Sequence, residues 1–387
     1  MGNKYWGYLI ALLLAWPITA IAVGPAERGE TIYFAGVALT GSAADAPASL
    51  PGVWRRLEGD GARRINALLA ESIRSNAPRH LDLRFTELAA LDGTTSSTAV
   101  AVAIDREVVV TEEIGGQHKL LVEIAAQLLF FDYREMQVRL AYPVTVQRVD
   151  VLDASPTQAD IDHAFHELML GRGDASLARS VGNVLSNLRL PGSASLRLQV
   201  VSVELEPGAE WSVEMRERHR TGTLGHELTK LLSASSGIGF LPHQAGQAVR
   251  GTMAARFSDG KVFALAVPEP DFAITLSIQP FRQKTLSETP AVRQELFGAY
   301  FRVRAVEPVS GRVLVDHAFR HGATKTIPAT QASVDFEAAR YETLVSGLAQ
   351  LAQAAQDPRN DWVTQQHDPA SARKQVTALR SLLEKCR

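Results

Sequence analysis

Few side chains in this sequence stand at spacings that do chemistry. His163, His166 and Glu167 (HAFHE) put two imidazoles three residues apart on a helix, near enough to share a metal ion. The arrangement is neither HExxH nor HxxEH, in which both histidines and a general-base glutamate surround a zinc-bound water. Both histidines fall beside the Ile161/Phe165/Leu168 stripe, so they are predicted on a solvated helix face. His226-Glu227 begins an HExxH, but Lys230 occupies the place of the second histidine, and the pair is predicted at a helix surface. No GxSxG elbow, P-loop or GxGxxG fingerprint occurs, and Gly260-Lys261 lacks the glycine-rich loop that would wrap a phosphate. The only cysteine, Cys386, has no histidine placed to take its proton. Arg172-Gly173-Asp174 spells an adhesion tripeptide, and a turn between domains accounts for its glycine and aspartate. The sequence therefore assigns no catalytic residue, no metal ligand and no cofactor.

What it offers instead is a surface for binding. Phe301, Val303 and Ala305 alternate with Arg302 and Arg304, so if the apolar set faces the core the two arginines face outward. Arg312 follows the turn at Pro308/Gly311, and Arg320 lies beyond the returning strand. Up to four guanidinium groups then share one side, suited to bidentate pairing with carboxylates. The expected partner is an acidic surface on an envelope protein, or a second copy of the chain.

That compartment follows from the first residues. Lys4 precedes an apolar run, Tyr8 to Val23, that ends in the small-x-small exit Ala20-Ile21-Ala22. Cleavage is expected after Ala22, giving a periplasmic or exported protein with no integral membrane span afterwards. No cysteine ends the leader to receive a lipid, and a single cysteine provides no internal disulfide in an oxidising compartment. The composition, 46% hydrophobic and 21% charged with a formal net charge of −2, is that of a folded protein with no bulk attraction for nucleic acid. The remaining chain is long enough for two domains.

The elements that must position these residues are predicted by periodicity. A strand over Thr31 to Gly41 leads to a helix over Ala62 to Ile73, then to a half-buried strand at Leu81 to Leu88. Long β segments follow at Thr98 to Ile114, Lys119 to Phe131 and Val138 to Val151, reversed at Gly115-Gly116 and at Asp132 to Gln137. Thr157-Gln158-Ala159-Asp160 has the form of a capping box and opens a helix carrying Ile161, Ala164, Phe165, Leu168 and Met169. After Gly171 to Ala175 and a short helix (Leu177 to Leu188), the order recurs. A strand spans Ser195 to Leu205, a helix carries Leu224, Leu228, Leu231 and Leu232, and a short strand covers Gly239 to Pro242. Then come strands at Val262 to Val267 and Asp271 to Phe281, the arginine hairpin, and a helix from Ser333 to Gln356. A polar linker and a short amphipathic helix with Val376, Leu379, Leu382 and Leu383 complete the chain.

One constant shift along the chain lays Phe131 on Val306 and Val138 on Val313, and brings the helix near Thr157 onto the one near Ser333. The opening helices need a different shift, so an insertion or deletion is expected between. Two tandem α/β (α+β) modules are predicted, each a mixed sheet with helices: 23–172 and 173–356, after a signal peptide at 1–22 and before a linker and C-terminal helix at 357–387.

LGHELTKLLSASSGIGFLP, PDFAITLSIQPF and FRVRAVEPVSGRVLVDH together resemble the periplasmic α/β module shared by the curli-export channel subunit, the TolB amino-terminal domain and periplasmic flagellar-assembly proteins. The resemblance covers about a hundred residues, mainly 224–319, and only faintly the first half. It implies a non-enzymatic protein that docks on partners in an envelope assembly. Two alternatives stand beside this. An export-channel component would need long amphipathic hairpins, for which Thr98 to Ile124, interrupted by Asp105, Arg106, Glu107, Glu112 and Glu113, is the candidate. A periplasmic metal-dependent hydrolase is the other, and would carry stoichiometric zinc.

Overall fold

A computed structural model describes residues 31–40, 46–76, 81–85, 98–114, 116–186, 188, 196–209, 221–243, 252–257, 262–328 and 336–387. The leader with its exit site, Gly260-Lys261 and the predicted helix start at Ser333 lie outside them.

The chain is a mixed α/β protein with two sheets packed against helices. In the first unit, β1 (Thr31–Thr40) lies parallel to both β2 (Asp82–Arg84) and β3 (Thr98–Ile114). β3, β4 (Gln117–Asp132) and β5 (Gln137–Leu152) then run as an antiparallel meander. Val100, Val102 and Ile104 point to one face, where they meet helices α3 (Gly61–Asn76), α4 (Gln158–Leu170) and α5 (Leu177–Ser186) in one apolar core. The short helices α1 (Ala46–Ser49) and α2 (Pro51–Leu57) lie beside them. Ala99, Ala101 and Ala103 point the other way and are as deeply buried. A strand covered on both faces reads as a continuous apolar run, which is why TAVAVAI shows no polar alternation. The capping box forms as its spacing demands: Asp160 N–H donates to Thr157 Oγ1, and Thr157 N–H donates to Asp160 Oδ2 at 2.8 Å.

The second unit repeats the path. β6 (Leu198–Leu205) is parallel to β9 (Phe272–Ile278), which is antiparallel to β11 (Val292–Glu307), itself paired with β12 (Arg312–Pro328). Helices α6 (Thr221–Ser236) and α7 (Phe336–Gln356) cover its core face. The strand registers carry the duplication to the level of single residues. Phe131 stands opposite Val138, Val306 stands opposite Val313 at the constant shift, and each ladder slips by one residue at that point. The parallel ladders slip alike, between Phe34 and Gly36 in β1 and between Val200 and Ser202 in β6. β3, bulged at Asp105, corresponds to β9 plus β10 (Arg282–Glu288), which pair in succession along one edge of β11. Bulges interrupt pairing at a fixed residue, so their recurrence at one offset matches these parts of the two units residue by residue.

The changed shift between the opening helices has a physical cause. Between Pro242 and β9 the second unit inserts a hairpin, β7 (Thr252–Phe257) and β8 (Val262–Ala266), that leaves its own sheet. β7 pairs antiparallel with the end of β1, and β8 meets β5 at Gln137, so the hairpin lies against the alanine face of the first sheet. Phe240 exchanges two backbone hydrogen bonds with Ala141 of β5, while Leu241 N–H donates to the carbonyl of Leu198 in β6. The segment predicted as a strand at Gly239 to Pro242 thus stitches the two sheets together.

The predicted boundaries move accordingly. α5, placed after the break at 172/173, packs Leu177, Val181 and Leu185 into the first core. The segment 357–387 is no separate tail, because α8 (Asp361–Thr364) and α9 (Pro369–Lys385) bury Trp362, Val363, Val376, Leu379 and Leu383 in the second core. Asn360 and Asp368 cap those helices with their side chains. The strand at Leu81 to Leu88 is described only to Phe85, and pairs over three residues. The hairpin Thr98 to Ile124, the candidate for a membrane-inserting element, is the centre of the first sheet and is buried on both faces over Ala99 to Ile104. Among the described residues no helix is long and apolar enough to cross a membrane.

Candidate functional site

The pleat of β11 and β12 decides which predicted arginines meet. Arg302 and Arg304 lie outward between the buried Phe301, Val303 and Ala305, and Arg320 sits opposite Tyr300 on the same face. Arg312 does not join them: the slip at Ala305/Val306 pairs it with Glu307, on the other side of the pleat, with Nε 3.4 Å from Oε2. Nor are the remaining three equally available. Arg302 Nε donates to Asp316 Oδ1 at 2.5 Å, a bond that holds the Asp316 carboxyl below the usual carboxylate range. Arg320 donates from Nε and Nη2 to the carbonyl of Gln365, at 3.2 and 2.8 Å. Arg304 is exposed directly opposite Asp316, whose carboxyl its charge also lowers.

The duplication gives this face a counterpart. The same shift that lays Phe131 on Val306 places Gln127 and Leu129 of β4 on Arg302 and Arg304 of β11. In the first unit both positions are buried, Leu129 in a cluster with Leu241, Met253 of β7 and Leu265 of β8, and Gln127 beside Asp105 of β3. In the second unit they are open, with Thr275 and Ser277 of β9 beside them.

A group that sequence reasoning misplaced lies in the seam between the units. His226-Glu227, predicted at a helix surface, is enclosed: α6 is sandwiched, with Leu224, Leu228 and Leu232 against the second core and its polar side against the first sheet. The small residues Gly225, Thr229, Ser233 and Ser236, at helical spacing, let the segment Ile238 to His243 pack closely along α6. At Gly225 a Cβ would come within 2.4 Å of the His243 ring.

His226 Nδ1 is 3.7 Å from Oδ2 of Asp105, the bulge residue of β3, and Gln127 Nε2 donates to that oxygen at 3.1 Å. The other Asp105 oxygen and His226 Nε2 make no hydrogen bond to the described residues. Burial dominates both: it pushes the Asp105 carboxyl up to about 7 and the His226 imidazole down to about 3. Arg106 opposes the first shift and reinforces the second. Beside the pair Arg106 Nη2 meets Glu123 Oε1 at 2.6 Å, and Lys230 Nζ meets the buried Glu227 at 2.6 Å. Burial raises the Tyr341 hydroxyl of α7 and Glu227 adds to that shift. The acid and the base stand side by side without a hydrogen bond at 3.7 Å, and the two units leave only 23% and 14% of their side chains exposed.

The remaining candidates stay apart. On α4 His163 is exposed and His166 half-buried; among the described residues no three histidine, cysteine, aspartate or glutamate side chains converge as a metal site. Arg172-Gly173-Asp174 is an exposed turn whose charges meet Glu71 at 3.4 Å and Arg179 at 3.6 Å. Cys386 is buried, and burial pushes its thiol up to about 12.

Fold and site together define a tandem α/β protein that draws its ionisable groups into an internal seam and leaves one sheet face open. No family model matches the chain, and no curated protein matches it. Among solved structures it is similar to a hypothetical protein from Chlamydia trachomatis, at 15% identity over 48% of this chain and 99% of that one, with a TM-score of 0.24. A minor lipoprotein from Acinetobacter baumannii follows at 13% identity, over 45% and 95% of the two chains, with a TM-score of 0.19. Likeness at that level carries no functional argument, so function is argued from the chain's own geometry.

Proposed function

We propose that this is an exported, non-enzymatic envelope protein that docks a partner protein on the open sheet face of its second unit. One observation carries the reading: the same face of the first unit is the surface on which the second unit is seated. A sheet that covers its helix side and leaves its other side open is half of a two-sided layer. Thr275, Ser277, Arg302 and Arg304 keep the open face soluble where Ala99, Ala101, Leu129 and Phe131 make the first one dry. Export rests on the leader, with Lys4, the run to Val23 and the Ala20/Ala22 exit.

The partner's surface is acidic. Arg304 is its first contact, and a partner carboxylate competes with Asp316 for Arg302, whose guanidinium has donors beyond the one Asp316 takes. Reversing both arginines to glutamate is expected to leave the melting temperature nearly unchanged, since exposed pairs contribute under about 1 kcal/mol. The same change weakens co-purification with the native partner, while lower salt strengthens the wild-type complex. Retention of partners at wild-type yield by the double variant would place the docking surface elsewhere.

A further inference from the structure

On the open face of β11 and β12 two glycines stand opposite each other, Gly298 and Gly322, next to the facing pair Tyr300 and Arg320. The missing side chains leave a cleft of about 180 Å3, closed at the β12 edge by Trp362 and Gln365. Gln366 fixes that edge, accepting from Arg320 N–H at 2.9 Å and donating to the Arg320 carbonyl at 3.1 Å. The cleft is too small for a free metabolite, whose pockets run to roughly 300–1,000 Å3, and is the size of one side chain. Its lining holds a guanidinium, a phenol and an indole but no carboxylate. Arg282 adds a second cation near the mouth, its Cζ 5.6 Å from the Tyr300 ring centre.

The first unit shows what such a position holds. By the shift that relates the two units, Gly298 and Gly322 fall on Glu123 and Gln147, which also face each other. Glu123 supplies a carboxylate that takes Arg106 at 2.6 Å and faces Lys230 of the seated second unit. In the second unit glycine replaces both side chains, and the cation beside the gap is Arg320, whose own counterpart in the first unit is Thr145.

From this we infer that the cleft receives a glutamate side chain of the partner protein, its carboxylate on Arg320 and its methylenes between Tyr300 and Trp362. The inference rests on the docking face proposed above and names its anchor.

The test uses 15N-labelled mature protein titrated with acetyl-Ala-Glu-Ala-amide and with its glutamine counterpart. The resonances followed are the Gly298 and Gly322 amides and the Trp362 indole N–H. The glutamate peptide is expected to give saturable shifts and the glutamine peptide to bind about tenfold more weakly, the difference of a charge-assisted hydrogen bond. Gly322→Val fills the cleft and abolishes the shifts without loss of fold. The position tolerates a side chain, because a Cβ there meets Leu296 Cδ1 at 3.4 Å. Equal binding of the two peptides, shifts that survive in Gly322→Val, or no shifts would overturn the assignment. So would acetyl-Ala-Ala binding as well through its free terminus. Reversal of Arg302 and Arg304 tests the docking face without passing through the cleft, so either idea can fail alone.

Discussion

Asp105 and His226 make the stability of this protein respond to pH in a way that only single substitutions expose. Between about pH 4 and 6.5 the unfolded chain carries its proton on histidine and leaves aspartate ionised. The folded chain does the reverse, since the carboxyl is pushed up to about 7 and the imidazole down to about 3. Both states bind one proton at this pair, so the wild-type pair contributes no slope. In Asp105→Asn only the histidine remains: unfolding takes up a proton, and stability rises with pH from about 3 to 6.5. In His226→Gln only the aspartate remains: unfolding releases a proton, and stability falls as pH rises from about 4 to 7. One proton bounds either slope at about 1.4 kcal/mol per pH unit, and side-chain exposures of 23% and 14% reduce it below that limit. Urea unfolding at half-unit steps from pH 4 to 7.5, read as variant minus wild type, cancels every other titration. Two difference curves of opposite slope are expected. If burial left both groups near their ordinary values, each difference curve would instead be flat across the window, and flat curves would refute the argument.

Cys386 is expected to resist a thiol-specific disulfide reagent in the native protein and to react fully in denaturant, because its thiolate is suppressed by burial; fast native reaction would mean that α9 is not seated. The first unit expressed alone, residues 23–190, is expected to aggregate or bind a hydrophobic dye. It would expose Leu129 and Phe131, each worth about 1.5–3 kcal/mol when buried; a monomeric, cooperatively folding fragment would show that the hairpin and α6 are not needed to cover it.

The strands of the meanders were legible because alternation and turn chemistry act over neighbouring residues. Gly115-Gly116 marked one reversal and Pro308/Gly311 another, and β3 runs over Thr98–Ile114 as its pattern required. β10 was not legible. Every residue of Arg282–Glu288 is exposed, so no core imposes a period on RQKTLSE, and the strand exists only through its pairing with β11. β7 (Thr252–Phe257) was missed for a related reason, since its pairing with β1 lies more than two hundred positions away in the chain. The linker at 357–370 looked polar by composition, yet Trp362 stacks on Phe319 with ring centres 5.6 Å apart. One aromatic anchor outweighs the average of its neighbours.

The misplacement of His226-Glu227 has the most to say about function. Helical periodicity finds the apolar face of α6 and consigns the rest to solvent, which holds for a helix with one neighbour. α6 has two, and its second is the sheet of the other unit. The polar residues it presents there meet partners that the first unit supplies from a bulge and a bulge neighbour, Asp105 and Arg106, and from Gln127 and Glu123 of the facing strand. Gln127 and Arg302 occupy one position of the repeat, and so do Glu123 and Gly298. The first copy therefore turns its back face to its own sister unit, where Arg106 pairs with Glu123 and Lys230 with Glu227. The second copy presents the same strands outward: cations where the first has amide and leucine, with Arg302 held by Asp316, and glycines where it has Glu123 and Gln147. Arg320 beside those glycines gives two of its donors to the Gln365 carbonyl, which leaves others for the carboxylate that a docking partner would bring.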